Sequence, residues 1–339
     1  MNEVHPDQHV IVFGNEDISK ILFGNDGGVY YSGDGGITIE ERNNGYNVTQ
    51  FYTVGVAPTT ALTGDYFLAG AQDNGTQVFQ SSNPNGPDES FRAVGGDGAF
   101  SFFDQDGIDR YLIANVVYND GIYLYDYDTD EWVTINDEST AQGSFINPEA
   151  LDSNLNILYS NYSSGANAII KRYSGIKDAS TLIKVDLTNN LLTSRPTALT
   201  VSPYTKTSST LYVGTILGDV LKIEKAEGGT PIWTEISGSG FVGSVSDIEF
   251  GRNEYEIFIT MHNYGVVNVW YTNDGGANWK NKEGNLPDLP VKAILQNPLN
   301  SNEVIVGTEL GVWYTDNFFA DTPDWNSAFN GMSNVKVTD

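Results

Sequence analysis

Short apolar runs, broken by Gly, Asn and Asp, recur along the whole chain. Within each run β-branched and aromatic residues dominate, and the breakers sit at the reversals, which is the pattern of hairpin strands. The clearest case is IFITMHNYGVVNVWYTNDGGANW (257–279). It predicts a strand over 257–261, a turn holding His262, Asn263 and Gly265, a second strand over 266–271, and a tight loop ending at Trp279. The same unit returns as ILFGNDGGVYYS (21–32), FLAGAQDNGTQVF (67–79), YLIANVVYNDGIYLYD (111–126), ILYSNYSSGANAIIKRY (157–173), LYVGTILGDVLKI (211–223) and VIVGTELGVWYT (304–315). Each copy has a small residue closing its first strand: Gly24, Gly70, Ala114, Ser160, Gly214, Thr260 and Gly307. These anchors lie 46, 44, 46, 54, 46 and 47 residues apart. Such a period suits a four-stranded propeller blade. The expected fold is therefore all-β, a seven-bladed β-propeller of four-stranded antiparallel blades. No stretch has the apolar spacing of an amphipathic helix. No linker or composition shift interrupts the period, so residues 1–339 are expected to form a single propeller domain.

The loop after the 266–271 strand reads S/T-x-D-x-G-x-x-W, with Thr272, Asp274, Gly276 and Trp279. A second copy has Ser32, Asp34 and Gly36, with Ile39 in place of Trp. The Asp carboxylate can accept N–H groups across the turn, Gly permits positive φ, and Trp buries its ring between sheets. This pattern resembles the Asp-box of bacterial neuraminidase repeats, and the chain resembles the sialidase-like β-propellers. HPDQH, FGNDGGVYYS, NGYNVTQFY, GAQDNGTQ and GGDGAFSFFD resemble a group of exported bacterial propellers labelled glycosyl hydrolases. More distantly, the chain looks like sortilin-type receptors and xyloglucan-cleaving glycosidases. The resemblance implies an exported protein; the Asp-box residues, in turns between third and fourth strands, are read as structural.

Charge narrows the partners. Lys+Arg number 17 against Asp+Glu 44, a formal net charge of −27, which disfavours nucleic acid and anionic membranes. There is no Cys, hence no disulfide, zinc–thiolate or thiol nucleophile. No apolar run approaches the roughly 18 residues of a membrane span. The first residues lack the basic start and apolar core expected of a signal peptide, and NVKVTD (334–339) resembles LPVKAI (289–294), which opens a blade. Two expectations follow. Either the chain belongs to a longer exported protein, with its other domains as partners, or Val335–Thr338 closes the ring beside the first blade.

Candidate chemistry follows from how a propeller sorts its loops. The entry to a blade's innermost strand and the turn between its second and third strands share one face. That face is expected to gather His5, Asp7 and Asp97 from the entries and Asp26, Asp73, Asp120 and His262 from the turns, beside Asn25, Gln72 and Asn263. Glycoside hydrolysis needs two carboxyls in different ionisation states. Asn25-Asp26-Gly27-Gly28-Val29-Tyr30 resembles the turn carrying a catalytic Asp in the xyloglucan-cleaving family, and Gly96-Asp97-Gly98 resembles that family's second catalytic stretch. The resemblance makes Asp26 and Asp97 the catalytic pair; the shared face makes His5, Asp7, Asp73, Asp120 and His262 the expected ligand-binding residues. The arginine triad of true sialidases has no counterpart in Arg42, Arg92, Arg110 or Arg252. His5-x-Asp7-x-His9 would share one face of a strand and permit a divalent ion, or simply pack the entry to blade 1. The latter is adopted, with no metal assigned. Asp126-x-Asp128-x-Asp130, with Asp137 further on, opens like a calcium loop but has Glu131 where a Gly belongs, so no cofactor is expected beyond weak Ca²⁺. Tyr46, Phe51 and Tyr52 can stack on sugars or pack between blades. The expected function is a secreted or cell-surface recognition or adhesion module for glycans or proteins. The alternative is a glycoside hydrolase acting through the acidic face.

Overall fold

A computed structural model describes residues 4–45, 49–81, 89–139, 141–328, 331 and 335–339. Tyr46 and most of the polar 81–90 loop lie outside them. Seven four-stranded sheets follow one another along the chain, over 8–41, 51–94, 98–136, 149–187, 196–235, 245–281 and 291–327. Strands pair antiparallel and in sequence order, so every blade is an up-and-down meander. The protein is an all-β, seven-bladed β-propeller. Among the described residues no helix is long and apolar enough to cross a membrane.

The seven anchor residues all fall in the second strand of their blades. At Gly70 and Gly214 the next blade's innermost strand presses on the anchor, whereas at Gly24 the pressing side chain is Val10 of the same blade. A Cβ at Gly70 would lie 2.1 Å from the Ala99 carbonyl oxygen, and one at Gly214 would lie 2.3 Å from Val245 Cγ1. The apolar core lies at these junctions. Tyr159 and Ile170 of blade 4 pack with Leu211 and Leu221 of blade 5. Phe258 and Tyr271 of blade 6 pack with Val304, Phe318 and Trp325 around blade 7. Among the described residues, the five core clusters join blades 2 to 7 in successive pairs, and none draws on blade 1. The innermost strand of blade 1, Gln8–Gly14, is correspondingly open, with Val10 to Phe13 each about half exposed (51–57%).

One strand begins later than its pattern predicts. The strand expected over 266–271 is Val269–Thr272. The preceding residues belong to a loop, because the Glu283 carboxylate takes the Val269 amide (3.2 Å) and Trp270 Nε1 donates to the Val267 carbonyl (2.9 Å).

Residues 335–339 lie between blade 7 and blade 2, rather than beside blade 1. The Val337 amide donates to the Thr308 carbonyl (2.9 Å) and the Gly311 amide to the Val335 carbonyl (2.8 Å). On the other side, Thr338 Oγ1 donates to the Phe51 carbonyl (3.0 Å), and Asp339 Oδ2 accepts the Val54 amide (2.8 Å). This repeats what Val245-Ser246-Asp247 does between blades 6 and 7. There Ser246 Oγ donates to the Val291 carbonyl (2.7 Å), and Asp247 Oδ2 accepts the Ile294 amide (2.9 Å). Val337 also presses on Gly307 as Val245 does on Gly214. The last residues thus hold the place of an innermost strand.

Candidate functional site

One backbone bond recurs on the face where candidates were expected. The turn between second and third strands donates an amide to the entry of the first strand. It joins Asp26 to Asp7 (3.4 Å), Val117 to Asp97 (3.0 Å), His262 to Ser244 (2.9 Å) and Glu309 to Pro290 (3.2 Å). Entries and turns are therefore neighbours within a blade, and packing of blades links one such pair to the next.

At the junction of blades 1 and 2 this links most of the candidates. His5 Nε2 lies 2.9 Å from the Asp73 carbonyl. The Asp73 amide donates to Asp97 Oδ1 (2.9 Å). His9 Nε2 pairs with Asp26 Oδ1. That bond holds the Asp26 carboxyl below the usual range and raises His9 above it. Asp73 is raised instead, first by desolvation and then by the charges of Asp97 and Asp26. Asp73 also adopts φ of 62°, and Gly75 two residues later has φ of 70°, so the turn delivers its carboxyl from a left-handed residue that Asp tolerates. Asp26 and Asp73 share the wall of an open cleft of about 860 Å³ with Glu41, Asn43, Gln50, Gln72, Asn74 and Gln77, and with the half-buried rings of Phe51, Tyr52 and Phe79. Tyr52 Oη donates to Gln72 Oε1 (2.8 Å). Asp97 is not among the residues lining this cleft, and its carboxylate is bonded to the neighbouring turn.

Asp120 and His262 make other contacts. Asp120 belongs to the blade 3 turn, and its Oδ1 is buried without a partner. His262 Nε2 meets Glu309 Oε1 at 2.5 Å, and Lys336 Nζ reaches the same oxygen at 2.9 Å. Burial and the nearby Lys292 push the His262 imidazole down, against the pull of Glu309.

The two loops read as structural turn elements form closed turns. Ser32 Oγ donates to Asp34 Oδ1 (2.8 Å) and accepts the Gly36 amide (2.8 Å); Asp34 also takes the Thr38 amide (2.9 Å). Thr272, Asp274, Gly276 and Asn278 repeat this at 2.7, 3.1 and 2.9 Å, and Trp279 Nε1 donates to the Ile236 carbonyl of blade 5 (2.7 Å). The Asp126–Asp130 stretch does not converge on a cation. Asp126 Oδ1 accepts the Asp128 amide (2.7 Å), Asp128 pairs with Arg110, and Asp130 accepts Tyr125 Oη.

Sequence reasoning missed a second cavity, the central channel, of about 470 Å³. In six blades the innermost strand carries a register shift near its start; five of these shifts skip His9, Tyr52, Thr197, Ser246 or Lys292, and the one in blade 3 falls at Ala99 and Phe100. Tyr52, Thr197, Ser246 and Lys292 line the channel, joined by Asp247, Lys336, Thr338 and Asp339, and His9 does not. A bulge re-aims the skipped side chain. A weak signal was present: the same short register of a polar residue after the strand-opening apolar one, as in Val245-Ser246 and Val337-Thr338.

No protein-family model matches the chain, and no curated protein does. Among solved structures it is similar to YCF48 from Cyanidioschyzon merolae, with a TM-score of 0.53 and 12% identity, covering 89% of this chain and 92% of that one. That protein is a seven-bladed β-propeller, and at this identity the likeness bears on the fold alone.

Proposed function

We propose that the chain is a recognition module, acting outside the cell or at its surface, that binds a glycan or a protein through the cleft between blades 1 and 2. The carrying observation is the composition of that cleft: side-chain amides and carboxylates interleaved with half-buried aromatic rings in an open cavity. Amides and carboxylates suit hydroxyl and amide partners, and aromatic faces suit sugar rings or apolar side chains. The net charge of −27 favours neutral or cationic ligands over anionic ones. We also infer kinship with the sialidase-like propellers, supported by the two S/T-x-D-x-G turns and their shared hydrogen-bond scheme.

Catalysis by Asp26 and Asp97 is the weaker reading, because the Asp97 carboxylate is bonded to the Asp73 amide. A hydrolase using Asp26 with Asp73 has one observation in its favour. The two carboxyls share a cleft wall and are shifted in opposite directions, the sense of difference that glycoside hydrolysis uses between its two carboxyls.

Screening against neutral oligosaccharides and cationic peptides, followed by calorimetry, separates the readings. A module binds without releasing reducing sugar, and Tyr52→Ala with Gln72→Ala weakens binding at least tenfold. Sugar release that disappears in Asp26→Asn or Asp73→Asn moves the hydrolase forward. If the double variant binds as tightly as the parent, the cleft is not the recognition site.

A further inference from the structure

We propose that His5, Asp7 and Asp26 bind one divalent transition-metal cation of the zinc class at the blade 1 edge of the cleft. Among the described residues this is the one set of three whose ligating atoms lie within 4.8 Å of one another. A cation held by three such donors at about 2.0–2.2 Å in tetrahedral directions spaces them about 3.3–3.6 Å apart. His5 Nδ1 and Asp7 Oδ2 already stand at 3.6 Å.

The hydrogen bonds around His5 favour a metal at Nδ1. Its Nε2 faces the Asp73 carbonyl oxygen at 2.9 Å, an atom that can only accept. Nε2 therefore carries the hydrogen, and in that tautomer the uncharged ring has its lone pair at Nδ1, the nitrogen facing the Asp7 carboxylate. This is the outer-shell arrangement of metal-bound histidines, in which the second nitrogen donates to a carbonyl and fixes the tautomer. The Asp7 amide makes a long hydrogen bond to Nδ1 (3.4 Å), which a bound cation would replace. Among the described residues, no Lys or Arg pairs with Asp7 or Asp26; their ionic partners are His5 and His9. His9 bonds the Asp26 carboxylate and so orients it.

The local backbone fits this use. A Cβ at Gly27 would fall 2.9 Å from His5 Cβ, so the glycine lets the Asp26 turn close on the imidazole. The donor set selects the metal class. Ca²⁺ and Mg²⁺ take all-oxygen sites, whereas an imidazole with carboxylates suits Zn²⁺ and its neighbours. The metal site is independent of the proposed ligand in the cleft, because its test needs no organic ligand.

The test is calorimetric titration of chelator-treated full chain with Zn²⁺ at 0.15 M salt, which suppresses diffuse binding to surface carboxylates. Saturation at one Zn²⁺ per chain is expected. Affinity should fall at least tenfold in His5→Gln, Asp26→Asn and the exposed Asp7→Asn, and stay unchanged in His262→Gln. Co²⁺ should give visible d–d bands with the parent and none with His5→Gln. Melting curves in metal-free buffer identify a variant that has lost its fold, and Asp7→Asn then carries the comparison. Tighter Ca²⁺ than Zn²⁺ binding, uptake of many ions without saturation at one, or parental affinity in the folded variants each overturns the proposal.

Discussion

Asp274 shows what one carboxylate does in a turn. It accepts Thr272 Oγ1, the Asn278 amide and Asn278 Nδ2 at 2.7, 2.9 and 2.8 Å, which positions Trp279 to reach blade 5. Asp34 makes the same bonds in blade 1, but the loop ends in Ile39, and Ile37 is 80% exposed. The turns match while their packing differs. Asp274→Ala should therefore lower unfolding free energy by about 1–2 kcal/mol, and Asp34→Ala by clearly less. Urea denaturation of both variants checks this, and an equal loss at the two sites contradicts it. These turn residues were legible because every partner lies within a few residues. The contact between Asp73 and Asp97 was not, since it crosses from one blade's turn to the next blade's entry.

At the scale of the element, the period and the small anchors were readable because blades such as the second and fifth meet the same steric demand from their neighbours at Gly70 and Gly214. Which strand lies beside which blade was not readable. Val335–Asp339 carries the apolar–polar–Asp register of Val245-Ser246-Asp247, and that register fits beside any blade's innermost strand. The outcome was decided by bonds to Phe51 and Val54 on one side and Thr308 and Gly311 on the other. Four hydrogen bonds, each contributing about 0.5–1.5 kcal/mol, make deletion of 335–339 cost about 2–6 kcal/mol. Hydrogen exchange should show the Val54 and Gly311 amides losing protection, while the Trp279 side of blade 6 keeps it. Unchanged protection at both amides would mean that the segment does not close the ring.

The whole molecule combines a surface of net charge −27 with carboxyls sealed inside. Desolvation pushes Glu149 up to about 8 and Asp104 up to about 7; both are almost fully buried. Asp247 and Glu249 are raised in the same direction, but they are only half-buried, so the argument leans on the first two. A protonated Glu149 has an O–H to donate, and Asn115 Oδ1 beside it is buried without a partner. A carboxyl whose pKa rises on folding stabilises the fold fully below its unfolded value. It loses that contribution as pH climbs through the folded value. For Glu149 the window runs from 4.5 to about 8, and for Asp104 from 3.8 to about 7. Within its window each group lowers stability by about 1.4 kcal/mol per pH unit. Carboxyls held low, such as Asp34 and Asp274 in their turns, act oppositely and lose their contribution under acid. Stability should therefore peak at about pH 5, fall to about pH 8 and level off above it. Surface repulsion predicts a fall of the same sign, and salt separates the two causes. At 1 M the Debye length is about 3 Å, which screens exposed charges but leaves buried groups largely untouched. Thermal melts from pH 5 to 9 in 1 M NaCl should keep a pH slope, and Glu149→Gln with Asp104→Asn should flatten it. A slope that vanishes in salt for the parent would assign the effect to the surface instead.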